Sequence, residues 1–253
     1  MIELKNLRQN YGSRTVVDVD ALTLPEGGLT SIIGPNGAGK SSLLGMIAGL
    51  QRPTRGQVIL DGQDILRMPR NRFARRLAVL RQDNSINARL TVRDLVGFGR
   101  YPHSRGRLNA CDVRHIAHAI KLVALEEYQH SFLDEMSGGQ RQRAFIAMVL
   151  AQNTEYALFD EPLNSLDIKH AVGIMQLLRR AVDQHGKTAI VVLHDLNFAA
   201  RHSDRIIAMR DGKIIADGKP ENVITTDVLS KIYDMKLNVL KQQNKQIVDV
   251  FGK

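Results

Sequence analysis

The amino-acid sequence predicts an α/β fold in which a sheet domain is interrupted by a helical insertion. Short apolar segments typical of strands alternate with helical segments from about residue 1 to 87 and again from about 153 to 235. Between them, from about 88 to 152, the periodicity is helical and strand-like segments are almost absent. A glycine-rich stretch also joins an apolar strand directly to an apolar helix. Strands and helices in this order are typical of a parallel sheet covered by helices.

The elements of the first part follow from apolar patterning and turn chemistry. Alternating or continuously apolar residues predict strands in MIELKNL, TVVDVDALTL, GLTSII and LAVLRQ. An apolar stripe at helical spacing predicts a helix in KSSLLGMIAGL. In QVILDGQDIL, the pair Asp61-Gly62 predicts a type I′ hairpin turn, because this turn needs two residues that tolerate positive φ.

The insertion and the second part are predicted in the same way. Helices are expected in TVRDLVGFG, ACDVRHIAHAIKLVAL and RQRAFIAMVLAQ. Strands return in YALFD, TAIVVLH and RIIAMRDGKIIADG, with helices in IKHAVGIMQLLRRAVDQ and DLNFAARH between them. A helical stretch, PENVITTDVLSKIYD, and a hairpin-like pair, LNVLKQQNKQIVDV, follow. We therefore expect one domain over 1–235 and a short C-terminal extension over 236–253.

Composition and charge narrow the possible functions. With Cys111 as the one cysteine, an internal disulfide and a cysteine metal cluster are excluded. No apolar segment approaches the roughly 18 residues of a membrane helix, and the N-terminus lacks a signal-peptide pattern, so we expect a cytosolic chain. The net charge of +9 indicates an anionic partner. The basic run RMPRNRFARR lacks interleaved aromatic residues, so we expect a helix face near anionic lipid and no nucleic-acid partner.

The stretch GPNGAGKS fits the phosphate-loop pattern G-x-x-x-x-G-K-[ST], with the required strand before it and helix after it. Glycines let the backbone wrap around phosphate, and successive N–H groups form an anion nest. The alternative is a turn that merely joins strand to helix. Lys40 would serve the β and γ phosphates, Ser41 would bind Mg²⁺ and Ser42 would reach the α phosphate. The phosphate-binding candidates are Gly34, Pro35, Asn36, Gly37, Ala38, Gly39, Lys40, Ser41 and Ser42.

Polar residues at the ends of later strands are the catalytic candidates. YALFD ends with Asp160 and is followed by Glu161, and TAIVVLH ends with His194. The carboxyl ends of parallel strands face one crevice, so we expect these residues near the phosphate loop. Asp160 would then hold Mg²⁺, Glu161 would polarise a water molecule and His194 would contact the γ phosphate. A solvated acidic turn and a polar strand cap are the alternatives.

The sequence pattern does not decide the roles of five further residues, which are Gln82, Tyr11 and three histidines. Gln82 follows a strand and is either a surface amide or a contact of Mg²⁺ and the attacking water. Tyr11 is expected in a loop before the second strand, either as a part-buried core ring or as a face for adenine stacking. His115 and His118 are expected on a polar helix face, because no third metal ligand is near. His103 is expected in a surface loop.

The stretch SGGQRQR, residues 137 to 143, opens an apolar helix of the predicted insertion. A helix start presents unpaired N–H groups and the positive end of the helix dipole, so it can seat an anion. This second anion seat is far along the chain from the phosphate loop.

Together, the phosphate loop, Gln82, SGGQ, the strand ending in Asp-Glu and the later histidine resemble the ATP-binding subunit of ABC transporters, from about Met1 to Gly218. The resemblance implies a P-loop NTPase of the ABC type, with a RecA-like sheet lobe (about 1–87 and 153–235) and a helical signature-motif subdomain (about 88–152). It implies ATP and Mg²⁺, and a head-to-tail dimer of two copies. The residues of one copy that contact the γ phosphate held by the other are Ser137, Gly138, Gly139 and Gln140.

By the same resemblance, individual residues receive roles. Tyr11 stacks on adenine, Gln82 is the Q-loop residue and a Mg²⁺ contact with Ser41 and Asp160, and Asp167 lies at the dimer seam. The catalytic residues are Glu161, His194 and Lys40. Two positions depart from the family pattern, since Met136 stands where Leu is usual and Asn164 where Ser is usual. Because of the second departure, the family pattern does not give the contacts of the loop that contains Asn164.

A narrower resemblance concerns the transported solute. TVRDLVGFGRYPHSRGRL is similar to ATPases of iron(III)-siderophore, haem and cobalamin importers, and EPLNSLDIKH and the C-terminal extension favour ferric chelates. The resemblance implies two transmembrane permease subunits, a solute-binding protein and a peripheral position at the cytoplasmic face of the bacterial inner membrane. Haem, cobalamin or another solute, and a non-transport ABC ATPase, remain alternatives. A P-loop GTPase is disfavoured, because NKQI has Ile247 where a guanine-binding motif needs Asp.

Overall fold

The computed structural model describes residues 1–84, 86, 88–164, 166–242 and 245–249. Within these residues, the strands form two sheets and a separate hairpin. The first sheet is antiparallel, and its strands in spatial order are β2 (Arg14–Leu24), β1 (Ile2–Tyr11), β4 (Arg55–Leu60) and β5 (Gln63–Asp64). The strands of the second sheet, in spatial order, are β10 (Lys213–Gly218), β9 (Arg205–Arg210), β3 (Gly28–Ile33), β8 (Thr188–Val192), β7 (Tyr156–Asp160) and β6 (Leu77–Leu80). The hairpin pairs β11 (Asn238–Gln242) with β12 (Lys245–Asp249).

The helices lie where the periodicity predicts them, with two differences. The helices are α1 (Lys40–Ile47), α2 (Arg70–Arg76), α3 (Val92–Phe98), α4 (Tyr101–Ser104), α5 (Ala110–Leu122), α6 (Gly138–Gln152), α7 (Ile168–His185), α8 (Leu196–His202), α9 (Pro220–Val223) and α10 (Thr226–Tyr233). The expected helical stretch before the C-terminal hairpin is divided into α9 and α10, and α4 was not predicted as a separate helix. The α/β fold class is confirmed.

The second sheet positions the motifs. Its strands β9, β3, β8, β7 and β6 pair in parallel, and β10 pairs antiparallel to β9. The carboxyl ends of β3, β7 and β8 therefore meet at one edge, as the sequence predicts. The helix α1 continues from β3 into an apolar core shared by the two sheets. In that core Leu43 and Ile47 of α1 are fully buried with Ile32, Leu158 and Ile190.

Asp-Gly turns join two of the strand pairs. Between β4 and β5, Asp61 has φ 48° and Gly62 has φ 79°. Both angles are positive, as a type I′ turn requires, so the predicted turn is confirmed. Asp211 and Gly212, between β9 and β10, repeat this pattern with φ 50° and 79°.

The RYPH segment, residues 100 to 103, holds the C-terminal end of α6. Arg100 Nε donates to Asp112 Oδ1 over 2.9 Å, and Arg100 Nη1 donates to the carbonyl of Ala151 over 2.8 Å. Both charged residues are buried, with exposed fractions of 5% and 1%. His103 Nε2 lies 3.0 Å from the carbonyl oxygen of Gln152. The expectation of a surface loop is therefore wrong for His103, which is half-buried on α4.

Gln152 links this anchor to the second sheet, because its side-chain amide donates to the carbonyl of Leu77 at the start of β6 over 3.2 Å. Arg75 Nε of α2 also donates to the carbonyl of Pro102 over 2.9 Å. The end of α6 is thus hydrogen-bonded both within the helical segment and to the sheet.

Gly99 allows α3 to approach α6 closely, and we expect Gly99→Ala to lower the free energy of unfolding by about 1–3 kcal/mol. A Cβ at this position would lie 2.1 Å from the carbonyl oxygen of Met148. Gly173→Ala is the matched control, since a Cβ there meets nothing within 4 Å and α7 would gain helix propensity. Urea denaturation of both variants measures the difference, and equal stability would contradict the close contact.

Candidate functional site

A cavity of about 560 Å³ opens at the carboxyl ends of the parallel strands. The segment that joins β3 to α1 contributes Asn36, Gly37 and Gly39, and the first turn of α1 contributes Lys40, Ser41 and Ser42. Residues that follow β6, β7 and β8 contribute Gln82, Glu161, Asn164 and His194. The structure therefore brings together the phosphate loop and the candidates at the ends of three other strands.

The phosphate loop is shaped around the Lys40 side chain. Lys40 is 5% exposed, and its Nζ donates to the carbonyls of Gly34 over 2.8 Å and Pro35 over 3.0 Å. Burial lowers the pKa of Lys40, and the nearby carboxylates Glu161 and Asp160 oppose this shift. Gly34 has φ 148°, and a Cβ there would lie 2.2 Å from the carbonyl oxygen of Met209, so glycine is required.

The N-terminus of α1 is suited to an anion. Its N-cap is Gly39, which supplies no side-chain cap, and the first turn carries no acidic residue. Its first N–H groups and the positive end of the helix dipole are therefore not neutralised by this helix's own side chains. Together with the Lys40 ammonium group, this geometry fits a phosphate group.

Asp160 and Ser41 form a pair of oxygen ligands at the cavity, in which Asp160 is buried and Ser41 is part-buried and lines the cavity. Ser41 Oγ donates to Asp160 Oδ1 over 3.0 Å. Burial raises the pKa of Asp160, while the hydrogen bond from Ser41 opposes this shift. A hydroxyl and a carboxylate side by side are oxygen ligands of the kind that Mg²⁺ prefers. These residues therefore fit a magnesium ion.

Glu161 is the centre of a side-chain cluster. Its Oε2 accepts hydrogen bonds from Gln82 Nε2 over 2.9 Å and from Asn164 Nδ2 over 2.7 Å. His194 Nε2 lies 2.6 Å from the other oxygen, Oε1. Glu161 has a positive φ of 51°, which turns the chain sharply after Asp160 and separates the directions of the two carboxylates. Three side chains from three loops thus fix one carboxylate in the cavity wall.

Ser137 to Gln140 do not line this cavity. Ser137 is the N-cap of α6, where its Oγ accepts from the backbone N–H of Gln140 over 3.2 Å. Gln140 Oε1 accepts in return from the backbone N–H of Ser137 over 3.0 Å, which completes a capping box. Ser137 and Gly138 are exposed. The second anion seat therefore lies outside the cavity formed by the phosphate loop of its own chain.

Helix α6 is nevertheless hydrogen-bonded to the segment that contains Glu161. Gln142 Nε2 of α6 donates to the carbonyl of Pro162, the residue after Glu161, over 3.1 Å. Asp167 caps α7, because its Oδ1 accepts from the backbone N–H of His170 over 2.8 Å. The hydrogen bonds from His170 also lower the pKa of Asp167.

Tyr11 is placed differently from the expectation. It is the last residue of β1, paired with Arg14 of β2, and is not in a loop. It is 53% exposed, so the alternative of a part-buried core ring is wrong, and its hydroxyl donates to Gln51 Oε1 over 3.2 Å. Arg14 and Val16 line the cavity instead, and the sequence analysis did not select them. The sequence signal that could have selected Arg14 is its position as a basic residue directly after YGS.

Two further observations on the described part of the chain concern metal-binding clusters and membrane-spanning helices. No group of three or more His, Cys, Asp or Glu side chains is arranged to hold a metal ion there. Across the same residues, no helix has both the length and the apolar character needed to cross a bilayer.

A fold and a site of this kind define a nucleotide-binding ATPase. The family model described as ABC transporter matches residues 17–164. This chain belongs to the ABC transporter family, and it is an ATP-binding and ATP-hydrolysing subunit of that family. The identification made from the sequence is thus confirmed.

Known proteins resemble nearly the whole chain. The petrobactin import ATP-binding protein YclP of Bacillus subtilis (strain 168) is 47% identical over 247 residues, which cover 98% of each chain. The ferric enterobactin transport ATP-binding protein FepC of Escherichia coli (strain K12) is 39% identical over 238 residues, covering 93% of this chain and 88% of that protein. A dimeric ATP-binding cassette solved in a post-hydrolysis state with ADP and Pi matches with a TM-score of 0.78 and 31% identity, covering 87% of this chain and 99% of that one.

Proposed function

We propose that this chain hydrolyses ATP to drive the import of an iron(III)–siderophore complex through a membrane permease. The observation that carries the ATPase mechanism is the convergence of the phosphate loop with the Glu161 cluster in one cavity. Support for the cargo comes from relatives that are named for petrobactin import and ferric enterobactin transport.

The triphosphate of ATP binds to the amides of the phosphate loop and to the Lys40 ammonium group, as the unneutralised start of α1 favours. Ser42 serves the α phosphate. Ser41 and Asp160 would hold Mg²⁺, because their adjacent oxygen atoms fit its ligand preference, and Gln82, which lines the same cavity, would contact it. Bound there, Mg²⁺ supplies positive charge that offsets the charge of the β and γ phosphates.

Glu161 orients the attacking water and accepts its proton. Its carboxylate is held in one orientation by Gln82, Asn164 and His194, so no reorganisation is needed when the water attacks the γ phosphate in line. His194 lies beyond the end of β8, where it can also contact the γ phosphate. Asn164 replaces the usual Ser and takes a direct part in orienting the base.

The active form is a head-to-tail dimer of two copies. Ser137 and Gly138 are exposed, Gly139 and Gln140 are part-buried, and the four residues do not line the cavity of their own chain, so they are available to the ATP held by a second copy. Asp167 lies at the seam, and Tyr11 stacks on adenine from the exposed end of β1. ATP binding joins the copies, and hydrolysis removes the shared ligand and lets them part.

The division of the chain follows from this mechanism. The ATPase domain spans 1–235, with a sheet lobe (about 1–87 and 153–235) that holds ATP and a helical insertion (about 88–152) that presents the signature residues. Residues 236–253 form the C-terminal extension. The chain works at the cytoplasmic face of the bacterial inner membrane, bound to two transmembrane permease subunits that receive cargo from a solute-binding protein.

Radioiron uptake tests the cargo. We expect cells that carry chromosomal Glu161→Gln to lose uptake of iron from one ferric siderophore in a panel, while haem and cobalamin uptake are unchanged. Glu155→Gln is the matched control, because this exposed carboxylate lies just before β7 and outside the cavity. Unchanged iron uptake across the whole panel would overturn the iron assignment and leave the ATPase mechanism in place.

A further inference from the structure

A second concave surface lies between α5 of the helical insertion and α7. It consists of two cavities of about 440 Å³ and 400 Å³, which adjoin because both are lined by His118, Leu122, Ala181 and His185. We call this surface the α5–α7 groove. None of its lining residues also lines the nucleotide cavity.

The floor of the α5–α7 groove is apolar. Val149, Phe159, Leu178 and Val182 are buried core side chains that reach the larger cavity. Leu122, at the junction of the two cavities, is 38% exposed and extends the apolar surface outward. Cavities of this size and lining are typical of small-molecule sites, provided that a few polar groups orient the ligand.

The rim of the groove is basic and contains no carboxylate. The basic side chains that line the two cavities are His115, His118, Lys121, Arg180, His185 and Lys187. Within the described residues, Lys121 and Arg180 have no side-chain hydrogen bond or ion pair. Lys187 Nζ donates to a neutral group, Asn153 Oδ1, over 3.0 Å.

Carboxylates near the groove are already neutralised elsewhere. Asp183 of α7 pairs with Arg179 over 2.5 Å, and Glu155 pairs with Arg76 over 2.6 Å. Among the described residues, Lys121 and Arg180 are therefore left without an ion-pair partner, and their mutual repulsion raises the free energy of the folded chain. An anion bound at the rim would relieve that repulsion, and an apolar chain attached to it would cover the exposed side chain of Leu122.

We propose that the α5–α7 groove binds a single-chain anionic amphiphile. Its alkyl chain lies along the floor beside Leu122 and Leu178, and its anionic head meets Lys121 and Arg180. A free fatty acid and a single-chain anionic phospholipid share this chemistry. The groove is a separate surface from the nucleotide cavity, since the two have no lining residue in common.

Calorimetric titration of the full chain with dodecanoate, below its micelle concentration, tests the proposal. We expect saturable binding of one molecule per chain. Lys121→Glu/Arg180→Glu should weaken this binding at least tenfold. The matched control is Arg52→Glu/Lys213→Glu, which reverses two exposed cations outside the groove and should leave it unchanged. Thermal melting checks that both variants are folded.

Two further probes separate the ligand chemistries. Dodecyl maltoside has the same alkyl chain with a neutral head, and equally tight binding of it would overturn the role of the basic rim. Lysophosphatidylglycerol should compete with dodecanoate for the groove. The ligand that binds more tightly identifies the source of the anionic head. Three outcomes would overturn the single-chain site. The first is the absence of saturable dodecanoate binding, and the second is equal dodecanoate binding by the wild type and Lys121→Glu/Arg180→Glu. The third is binding of the chain only to diacyl phosphatidylglycerol vesicles.

Discussion

Glu161→Gln is expected to slow ATP hydrolysis at least about a hundredfold, because an amide cannot accept the proton of the attacking water. The substitution keeps the shape of the side chain, so the positions of Gln82, Asn164 and His194 should change little. ATP binding should persist, since Lys40 and the phosphate loop are untouched. Phosphate release at saturating ATP measures the rate, and sedimentation should show an ATP-bound dimer that accumulates.

The control for this experiment is Glu155→Gln, which removes a carboxylate of the same lobe outside the cavity and should retain the wild-type rate. A Glu161→Gln chain that hydrolyses ATP within twofold of the wild type would refute the assignment of Glu161 as the base. Loss of ATP binding by this variant would instead indicate that Glu161 holds the phosphate loop in place.

Arg100→Ala is expected to lower the free energy of unfolding by about 3–5 kcal/mol, because it leaves the buried Asp112 carboxylate without its cationic partner. The same change removes the donor to the carbonyl of Ala151 at the end of α6. Urea denaturation measures the loss. Arg100→Met/Asp112→Leu should recover much of it, since it removes the buried charges together.

The double variant should remain less stable than the wild type by about 1–3 kcal/mol, because the α6 carbonyl still lacks its donor and the backbone N–H of Asn109 loses its acceptor on Asp112. If Arg100→Ala lowered the free energy of unfolding by less than about 1 kcal/mol, water would have to reach the Asp112 carboxylate. This result would contradict the burial of Arg100 and Asp112.

Local patterns were sufficient for much of the fold. The strands that carry the motifs, the helices of the insertion and the turn at Asp61-Gly62 depend on periodicity and turn chemistry within short segments. The meeting of Gly34, Asp160 and His194 at one edge follows from the parallel order of their strands. These features were predicted because each has a signal in the residues around it.

Contacts between distant segments had no such signal. Glu161 meets Gln82 and His194 because a positive φ redirects the chain at Glu161, and the sequence does not reveal that angle. Arg100 finds its acceptor at Ala151, 51 residues away in the chain. Tyr11 was misplaced because β1 and β2 continue to pair beyond a register shift at Gln9 and Asn10.

The α5–α7 groove was also beyond sequence reasoning. Periodicity identifies the buried face of α5 and of α7 separately, but it does not show that their basic residues line one concave surface. His115 and His118 were expected on a polar helix face, and they lie on the rim of that groove.

Mixing two inactive variants tests the head-to-tail arrangement directly. Lys40→Met removes the proposed phosphate contact, and Ser137→Glu places a negative charge in the second anion seat, so each chain alone should lack hydrolysis. A mixed dimer contains one composite site with Lys40 from one chain and Ser137 from the other. We expect an equal mixture to recover up to about a quarter of the wild-type rate, since half of the dimers are mixed and each has one intact site. A mixture that is no more active than its components would contradict the shared site.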